Sequence, residues 1–295
     1  MPLILDGTVV RMDHMRRLKV AVSKLSVKPT LVIVQVGDDA RSTIYVGQKQ
    51  KFGVEAGFIV EVKKLPISVN EADLKQIISL LNEDKNVHGI IVQLPLPETI
   101  NKDNVINTIS PRKDVDGLTG VSRELLKLGA DSHGLVPATA RAVMSILNFY
   151  NIGVSDKEVV VMGRSRLVGE PTAELLKRAG AHVSVCNSKT ESPKELTKKA
   201  QILIVAIGKP YLVDDSYVSK GVVVIDVGIS PVVGTGFEEE VAPKKVIGDV
   251  FWRKVAPLSS AITPVPGGVG PMTVISLLEN VYYAACATIG EKPVL

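Results

Sequence analysis

Glu158-Val159-Val160-Val161-Met162-Gly163-Arg164-Ser165-Arg166-Leu167-Val168-Gly169-Glu170-Pro171 reads as a strand, a glycine turn and a helix start. A run of β-branched residues feeds the turn, and a helix pattern continues from Thr172 to Arg178. Backbone N–H groups and the positive end of a helix dipole then converge where a pyrophosphate can sit. In a dinucleotide fold the second strand usually ends in Asp or Glu, which binds the ribose 2′-hydroxyl and would repel a 2′-phosphate. Here it ends Val183-Ser184-Val185-Cys186-Asn187-Ser188-Lys189, without an acid. Arg164, Ser188 and Lys189 would instead supply charge-assisted donors to that phosphate, so NADP is the expected cofactor in preference to NAD. An ordinary βα turn with solvated cations is the competing reading. Gly163 and Gly169 do not form G-x-G-x-x-G, so the arginine, the serine and the missing acid carry the preference.

Working outward, strands are expected at Val159–Met162, His182–Cys186, Ile202–Ala206, Val222–Val227 and Lys245–Ile247, a second alternating series that forms the cofactor lobe. Upstream, apolar runs at Leu31–Val36, Phe58–Val62 and Gly89–Val92 alternate with helix patterns at Thr43–Ala56 and Glu71–Leu81. That βαβαβ order implies a parallel sheet covered on both faces, with ligands beyond the carboxyl ends of the strands. A polar stretch from Pro111 to Gly134 breaks the pattern, and a helix from Thr139 to Phe149 follows it. The expected fold is therefore α/β in two lobes: residues 1–137, a Rossmann-type lobe over 138–266, and a C-terminal segment, 267–295. The last helix, with apolar Val274, Leu277, Leu278, Val281 and Ala285 at helical spacing, should pack back on the first lobe. Gly234-Thr235-Gly236 with Glu238-Glu239-Glu240 reads as a surface loop.

With 295 residues the chain has room for two cores, and 45% hydrophobic with 22% charged residues is the composition of a globular protein. A net charge of +4 and the lack of basic runs interleaved with aromatics argue against nucleic acid; a small polyanion fits better. Cys186 and Cys286 are the only cysteines, too few for a disulfide framework or thiolate zinc site, which suggests a reducing compartment. His14, His88, His133 and His182 lack metal-ligand spacing, so no metal is expected. No leader pattern or membrane-spanning stretch is read, and a cytoplasmic location is the default, although a mature organellar protein would look the same.

In the first lobe, Tyr45 and Lys49 lie four apart on an expected helix and share a face near the carboxyl edge of the sheet. Taken alone, such a pair is more often an ordinary helix face. Gln93 shifts that balance: it closes the strand Gly89–Val92 and precedes Leu94-Pro95-Leu96-Pro97, which cannot continue as a central strand. A Gln there can equally satisfy neighbouring backbone groups. In Asp114-Val115-Asp116-Gly117, one carboxylate could accept paired N–H groups from a heterocycle and the other cap a turn; spacing does not say which.

Taken together, Tyr45-Val46-x-x-Lys49, Val92-Gln93-Leu94-Pro95-Leu96-Pro97, Lys113-Asp114-Val115-Asp116-Gly117, Gly163-Arg164-Ser165-x-x-Val168-Gly169-x-Pro171, Asp226-Val227-Gly228-Ile229 and Thr263–Thr273 resemble the methylenetetrahydrofolate dehydrogenase/cyclohydrolases. The first thirty or so residues match less well. The resemblance implies hydride transfer from 5,10-methylenetetrahydrofolate to NADP⁺ and hydrolysis of the methenyl product to 10-formyltetrahydrofolate, both in one cleft. It implies Lys49 as the acid/base of hydrolysis, Tyr45 stacked on the folate, Gln93 on the lysine and Asp116 on the pterin. Val92, Leu94, Pro264, Gly267 and Gly268 would line the folate side. Gly163, Arg164, Ser165, Ser188 and Ile229 would hold the dinucleotide, with Ile229 at the nicotinamide. A lysine with a lowered pKa suits a cationic substrate, and Gln93 positions it without adding opposite charge. The resemblance also implies a homodimer through the cofactor lobes.

Two departures stand out. Pro137-Ala138-Thr139-Ala140-Arg141-Ala142 replaces the family's Pro-Cys-Thr-Pro-x-Gly, which should lengthen or loosen the helix start and leaves Thr139 as a possible N-cap. Asn187 stands where a histidine is usual; it can donate a hydrogen bond but adds no positive charge. A monofunctional dehydrogenase and a non-catalytic NADP-sensing module are the alternatives to the bifunctional enzyme.

Overall fold

The structure is a computed structural model that describes residues 1–129, 135–231 and 246–295. In chain order its elements begin β1 (Leu3–Ile4), α1 (Gly7–Val22), β2 (Thr30–Val36), α2 (Ala40–Glu55), β3 (Ile59–Leu65), α3 (Glu71–Glu83) and β4 (Gly89–Val92). Then come α4 (Lys102–Ile106), α5 (Gly120–Lys127), α6 (Ala138–Phe149), β5 (Glu158–Met162), α7 (Gly169–Arg178), β6 (His182–Cys186), α8 (Pro193–Lys198) and β7 (Ile202–Val205). The chain ends with β8 (Val223–Asp226), β9 (Ser230–Pro231), β10 (Val246–Ile247), α9 (Trp252–Val255), β11 (Ala261–Ile262) and α10 (Val269–Ile289). The fold is α/β and divides into two compact units, one of residues 12–138 with 274–295, the other of residues 1–11 with 139–273.

The first unit holds a three-stranded parallel sheet in the order β3-β2-β4. Strand β2 is buried along its whole length, which is why Leu31–Val34 reads as an unbroken apolar run. Its residues alternate between two cores. Leu31 and Ile33 pack with Val46, Leu277, Leu278 and Val281, and Val32, Val34 and Val36 with Leu74, Ile78 and Leu81 of α3. The C-terminal part of α10 thus returns to this sheet. Helix α10 is long and apolar enough to cross a membrane, contrary to the sequence expectation, but most of it is buried within the protein. Its apolar surface is spent on the cores.

The second unit holds a six-stranded parallel sheet in the order β1-β11-β8-β7-β5-β6. Val159, Val161, Ile202 and Ile204 face one core; Val160, Met162, Leu203 and Val205 face the other. Strand β5 has β6 on one side and β7 on the other, so the strand order reverses there, the position at which open α/β sheets bind ligands.

Several expectations are corrected. Residues 1–11 belong to the second unit, not to the first lobe, because Leu3 and Ile4 pair in parallel with Ala261 and Ile262 and Leu5 is buried in the second unit's core. The division near the C-terminus falls at 273/274 rather than 266/267, since Val269 and Met272 pack in the second unit's core. Val246–Ile247 pairs antiparallel with Ser230–Pro231 outside the main sheet, and β11 takes the place beside β8. Helix α5 lies within the stretch expected to be irregular; its N-cap Thr119 accepts from Ser122 N at 3.1 Å. Helix α6 starts at Ala138, so Thr139 is already inside its first turn and is not the cap. The loop expected at Gly234–Glu240, Lys245 and His133 lie outside the described residues.

Candidate active site

Helix α2 follows β2, and its start is fastened at the carboxyl edge of the first unit's sheet. Asp39 caps it, accepting from Ser42 N at 2.8 Å, and the Ser42 hydroxyl donates to Leu94 O at 3.1 Å. That bond ties the helix to the segment leaving β4. Lys49, one turn after Tyr45, donates from Nζ to Gln93 Oε1 at 2.9 Å. Gln93 is itself held: its backbone N–H donates to Val34 O at 2.8 Å and its Nε2 to Leu94 O at 2.9 Å. Gln93 thus bonds both the neighbouring backbone and the lysine. Tyr45 is half exposed. Val92 is different: its side chain is buried in the sheet core with Val32, Val34 and Ile90. Leu94 is half-buried.

The Asp114/Asp116 ambiguity is resolved by geometry. Asp114, 1% exposed, accepts Leu118 N at 3.1 Å and Thr119 N at 2.8 Å, so it is the turn-holding carboxylate. Asp116 makes no side-chain hydrogen bond among the described residues. Gly117 follows at φ +69, where a Cβ would lie 2.9 Å from Pro137. The segment is pinned from below by Asn280 of α10, which is fully buried and donates from Nδ2 to Val115 O at 2.7 Å and Val136 O at 2.6 Å. Sequence reading missed Asn280; a polar residue among the apolar positions of a buried helix was the available signal.

Electrostatics join these groups. Burial pulls the Lys49 amine below the ordinary lysine range, and the Asp116 charge opposes that pull. Burial pushes Asp116 up, Lys49 lowers it and Asp114 raises it further. The pair can thus hold or release a proton more readily than free side chains.

In the second unit, Gly163 N donates to Cys186 O at 2.8 Å, and Met162 pairs with Cys186 across β5 and β6. Arg164 and Ser188 therefore leave adjacent strand ends, and both are exposed. The turn is tightly built: a Cβ on Gly163 would lie 2.1 Å from Ala206 O, and one on Gly169 2.1 Å from Gly163 O. Ser165 Oγ accepts from Val168 N at 3.2 Å and Gly169 N at 3.4 Å at the start of α7, which leaves the hydroxyl proton to donate. No acid stands at the end of β6. The Asn187 side chain accepts from Lys189 N at 2.8 Å, and the free edge of its amide remains a donor. These groups fit a dinucleotide bearing a 2′-phosphate.

The Thr263–Gly270 segment leaves β11 at the same carboxyl edge. Gly267 has φ +108, and a Cβ on Gly268 would lie 2.5 Å from Pro264 O. Ile229 is exposed, its Cδ1 lying 3.4 Å from where a Gly270 Cβ would stand. The N-terminus supports this loop: Gly7 N donates to Gly267 O at 2.8 Å, and a Cβ on Gly7 would sit 1.8 Å from Gly268 O. Leu5-Asp6-Gly7 is thus a supporting element that sequence reading passed over.

Comparison with known proteins identifies the family. A profile described as the tetrahydrofolate dehydrogenase/cyclohydrolase catalytic domain matches residues 5–116, and one described as the NAD(P)-binding domain of the same family matches residues 137–289. The bifunctional protein FolD of Campylobacter concisus is 43% identical over 292 residues, 98% of this chain and 99% of that protein. The crystal structure of the bifunctional FolD methylenetetrahydrofolate dehydrogenase/cyclohydrolase from Campylobacter jejuni superposes with a TM-score of 0.90 at 39% identity, covering 97% of this chain and 99% of that one. A Trypanosoma brucei methylenetetrahydrofolate dehydrogenase-cyclohydrolase, solved with NADP and an inhibitor, gives a TM-score of 0.89 at 32% identity and covers 98% of each chain. With both domains matched and this identity sustained along nearly its full length, the chain belongs to the tetrahydrofolate dehydrogenase/cyclohydrolase family.

Proposed function

We propose that this chain oxidises 5,10-methylenetetrahydrofolate to the 5,10-methenyl cation with NADP⁺ and hydrolyses that product to 10-formyltetrahydrofolate. The observation that carries the second step is the Lys49 Nζ to Gln93 Oε1 bond of 2.9 Å beside the unpartnered Asp116 carboxylate. A monofunctional dehydrogenase or a cofactor-sensing module has no use for that arrangement.

In the first step, NADP⁺ when bound supplies the hydride acceptor, and the protein's work is orientation. Asp116 accepts N–H groups of the pterin, and Tyr45 packs on its face. Leu94, Pro264, Gly267 and Gly268 line the folate, and the buried Val92 contributes through the backbone it orders. Gly163 and Ser165 receive the pyrophosphate, Arg164 and Ser188 the 2′-phosphate, and Ile229 the nicotinamide side. In the second step, water attacks the methenyl carbon. The neutral Lys49 amine accepts the proton that water gives up and returns it as the ring C–N bond opens. Gln93 holds Nζ without offering a charge that would keep the amine protonated.

We further infer a homodimer, supported by β6 being the outer strand of its sheet with Val183 and Val185 half-buried along it. A cytoplasmic location is the companion reading, in keeping with two free, buried cysteines.

Five outcomes test these readings. Lys49→Met should lower methenyl hydrolysis by about 10²–10⁴-fold while NADP still binds, and unchanged hydrolysis would refute the role. After subtraction of the spontaneous reaction, kcat/KM for hydrolysis should rise with pH through an inflection below 10.5, as the neutral amine takes over. Asp116→Asn removes the charge that favours the ammonium and should move that inflection lower; an upward move contradicts the coupling. Arg164→Ala should weaken NADP binding by about 10- to 100-fold and NAD binding far less, whereas equal losses exclude a 2′-phosphate contact. Sedimentation should give twice the mass of the 31.6 kDa chain, and a single-chain mass at micromolar concentration rejects the dimer.

A further inference from the structure

A second pair of buried carboxylates, Asp226 and Asp249, lies under the carboxyl edge of the six-stranded sheet. Asp226 ends β8, and Asp249 follows β10 with no exposed surface. Asp249 Oδ2 accepts Ile207 N at 2.7 Å and Gly208 N at 2.8 Å, the two amides of the loop that leaves β7. Asp226 Oδ1 accepts Gly228 N at 2.9 Å and Asp249 N at 3.2 Å, and its Oδ2 accepts Val250 N at 2.9 Å. The backbone N–H of Asp226 donates to Thr263 Oγ1 at 2.7 Å. Three segments, those after β7, β8 and β10, are therefore fastened to one pair of side chains, and the Asp226 backbone adds Thr263 after β11.

The packing leaves no slack. A Cβ on Gly228 would lie 2.2 Å from Asp249 Cγ, and one on Gly248 2.0 Å from Asp226 Oδ2. Only glycine lets the backbone rest on these carboxylates. The arrangement is costly, because Asp249 Oδ1 is buried without a partner and two like charges lie close together. Burial and the Asp249 charge push Asp226 up to about 6. A folded value raised above 3.8 means that Asp226 withdraws stability as pH rises from 3.8 through about 6. Packing alone would be served better by apolar residues.

What the loops carry gives the cost a reason. Ile207 follows Ala206, whose carbonyl closes on Gly163 of the phosphate turn, and Ile229 follows Gly228. Charged acceptors hold backbone amides in shorter, stronger bonds than neutral ones.

We propose that Asp249 is a positioning residue for the nicotinamide half of the dinucleotide: its carboxylate presets the Ile207–Gly208 loop and, through the contact with Gly228, the loop that bears Ile229. The inference rests on the reading of Ile229 as the nicotinamide-side residue.

The test uses the full-length protein with Asp249→Ala and Asp249→Asn. NADP affinity is read by fluorescence titration, hydride transfer by the NADP⁺ KM and kcat, and methenyl hydrolysis without nucleotide. Asp249→Ala should weaken NADP binding and raise the NADP⁺ KM by about tenfold or more, because both amides lose their acceptor. Asp249→Asn keeps an oxygen without charge and should recover part of that loss, leaving a deficit of several-fold. Nucleotide-free hydrolysis should stay within about twofold of the parent in both variants, which a general loss of folding would not allow. If the alanine variant does not fold, the asparagine variant decides by itself. Parental NADP affinity in Asp249→Asn, or hydrolysis falling in parallel with hydride transfer, overturns the assignment. A parent chain that binds NADP but turns over no folate defeats the proposed function instead, and the titration still reads the role of Asp249.

Discussion

A lysine amine withdrawn from water and held by a neutral amide is the constraint around which the first unit is arranged. Desolvation lowers the proton affinity of Lys49 and the nearby Asp116 raises it, with desolvation the larger effect. Had Gln93 been Glu or Asp, the amine would be kept as ammonium and would repel a cationic substrate. The amide supplies direction without that penalty. For this to work, the helix bearing Lys49 and the strand end bearing Gln93 must be locked together, and Ser42 donating to Leu94 O provides the lock.

The second unit solves a related problem with backbone. Gly163, Gly169, Gly228, Gly248 and Gly268 stand where a Cβ would overlap a carbonyl or carboxylate by more than thermal motion relieves. Gly163, Gly228 and Gly248 bring one loop at the carboxyl edge against another or against Asp226 and Asp249, while Gly169 and Gly268 close a loop on itself. Rigidity there comes from contact with buried acceptors, since the strands end before the loops begin. The N-terminal Gly7 extends the scheme to the segment after β11.

Much of this was readable in order along the chain. Runs such as Leu31–Val34 and Val159–Met162 are apolar at every position because both faces of a parallel sheet are covered, and β4 and β6 begin and end where the sequence placed them. Short strands were not readable. Leu3–Ile4 and Ala261–Ile262 are two residues long, and they exist as strands only because each finds the other and β8. Two residues carry no period. Helix α1 escaped notice for another reason: its polar and apolar residues are poorly segregated, and only Asp6, accepting from Thr8 N at 2.7 Å, signals its start.

The sequence by itself determined the α/β class, the order of strands and helices, the family, and which residue types could serve chemistry at strand ends. Those follow from local patterns and from spacing along the chain. Tertiary structure alone decided that Asp114 holds the turn and leaves Asp116 available, that residues 1–11 complete the sheet of the second unit, and that Asn280 and Asp249 work beneath the loops. The Asn280 and Asp249 bonds and the pairing of β1 span scores of intervening residues, and Asp114 differs from Asp116 only in meeting the Leu118 and Thr119 amides. A hydrogen bond of that kind has no signature until the chain has closed on itself.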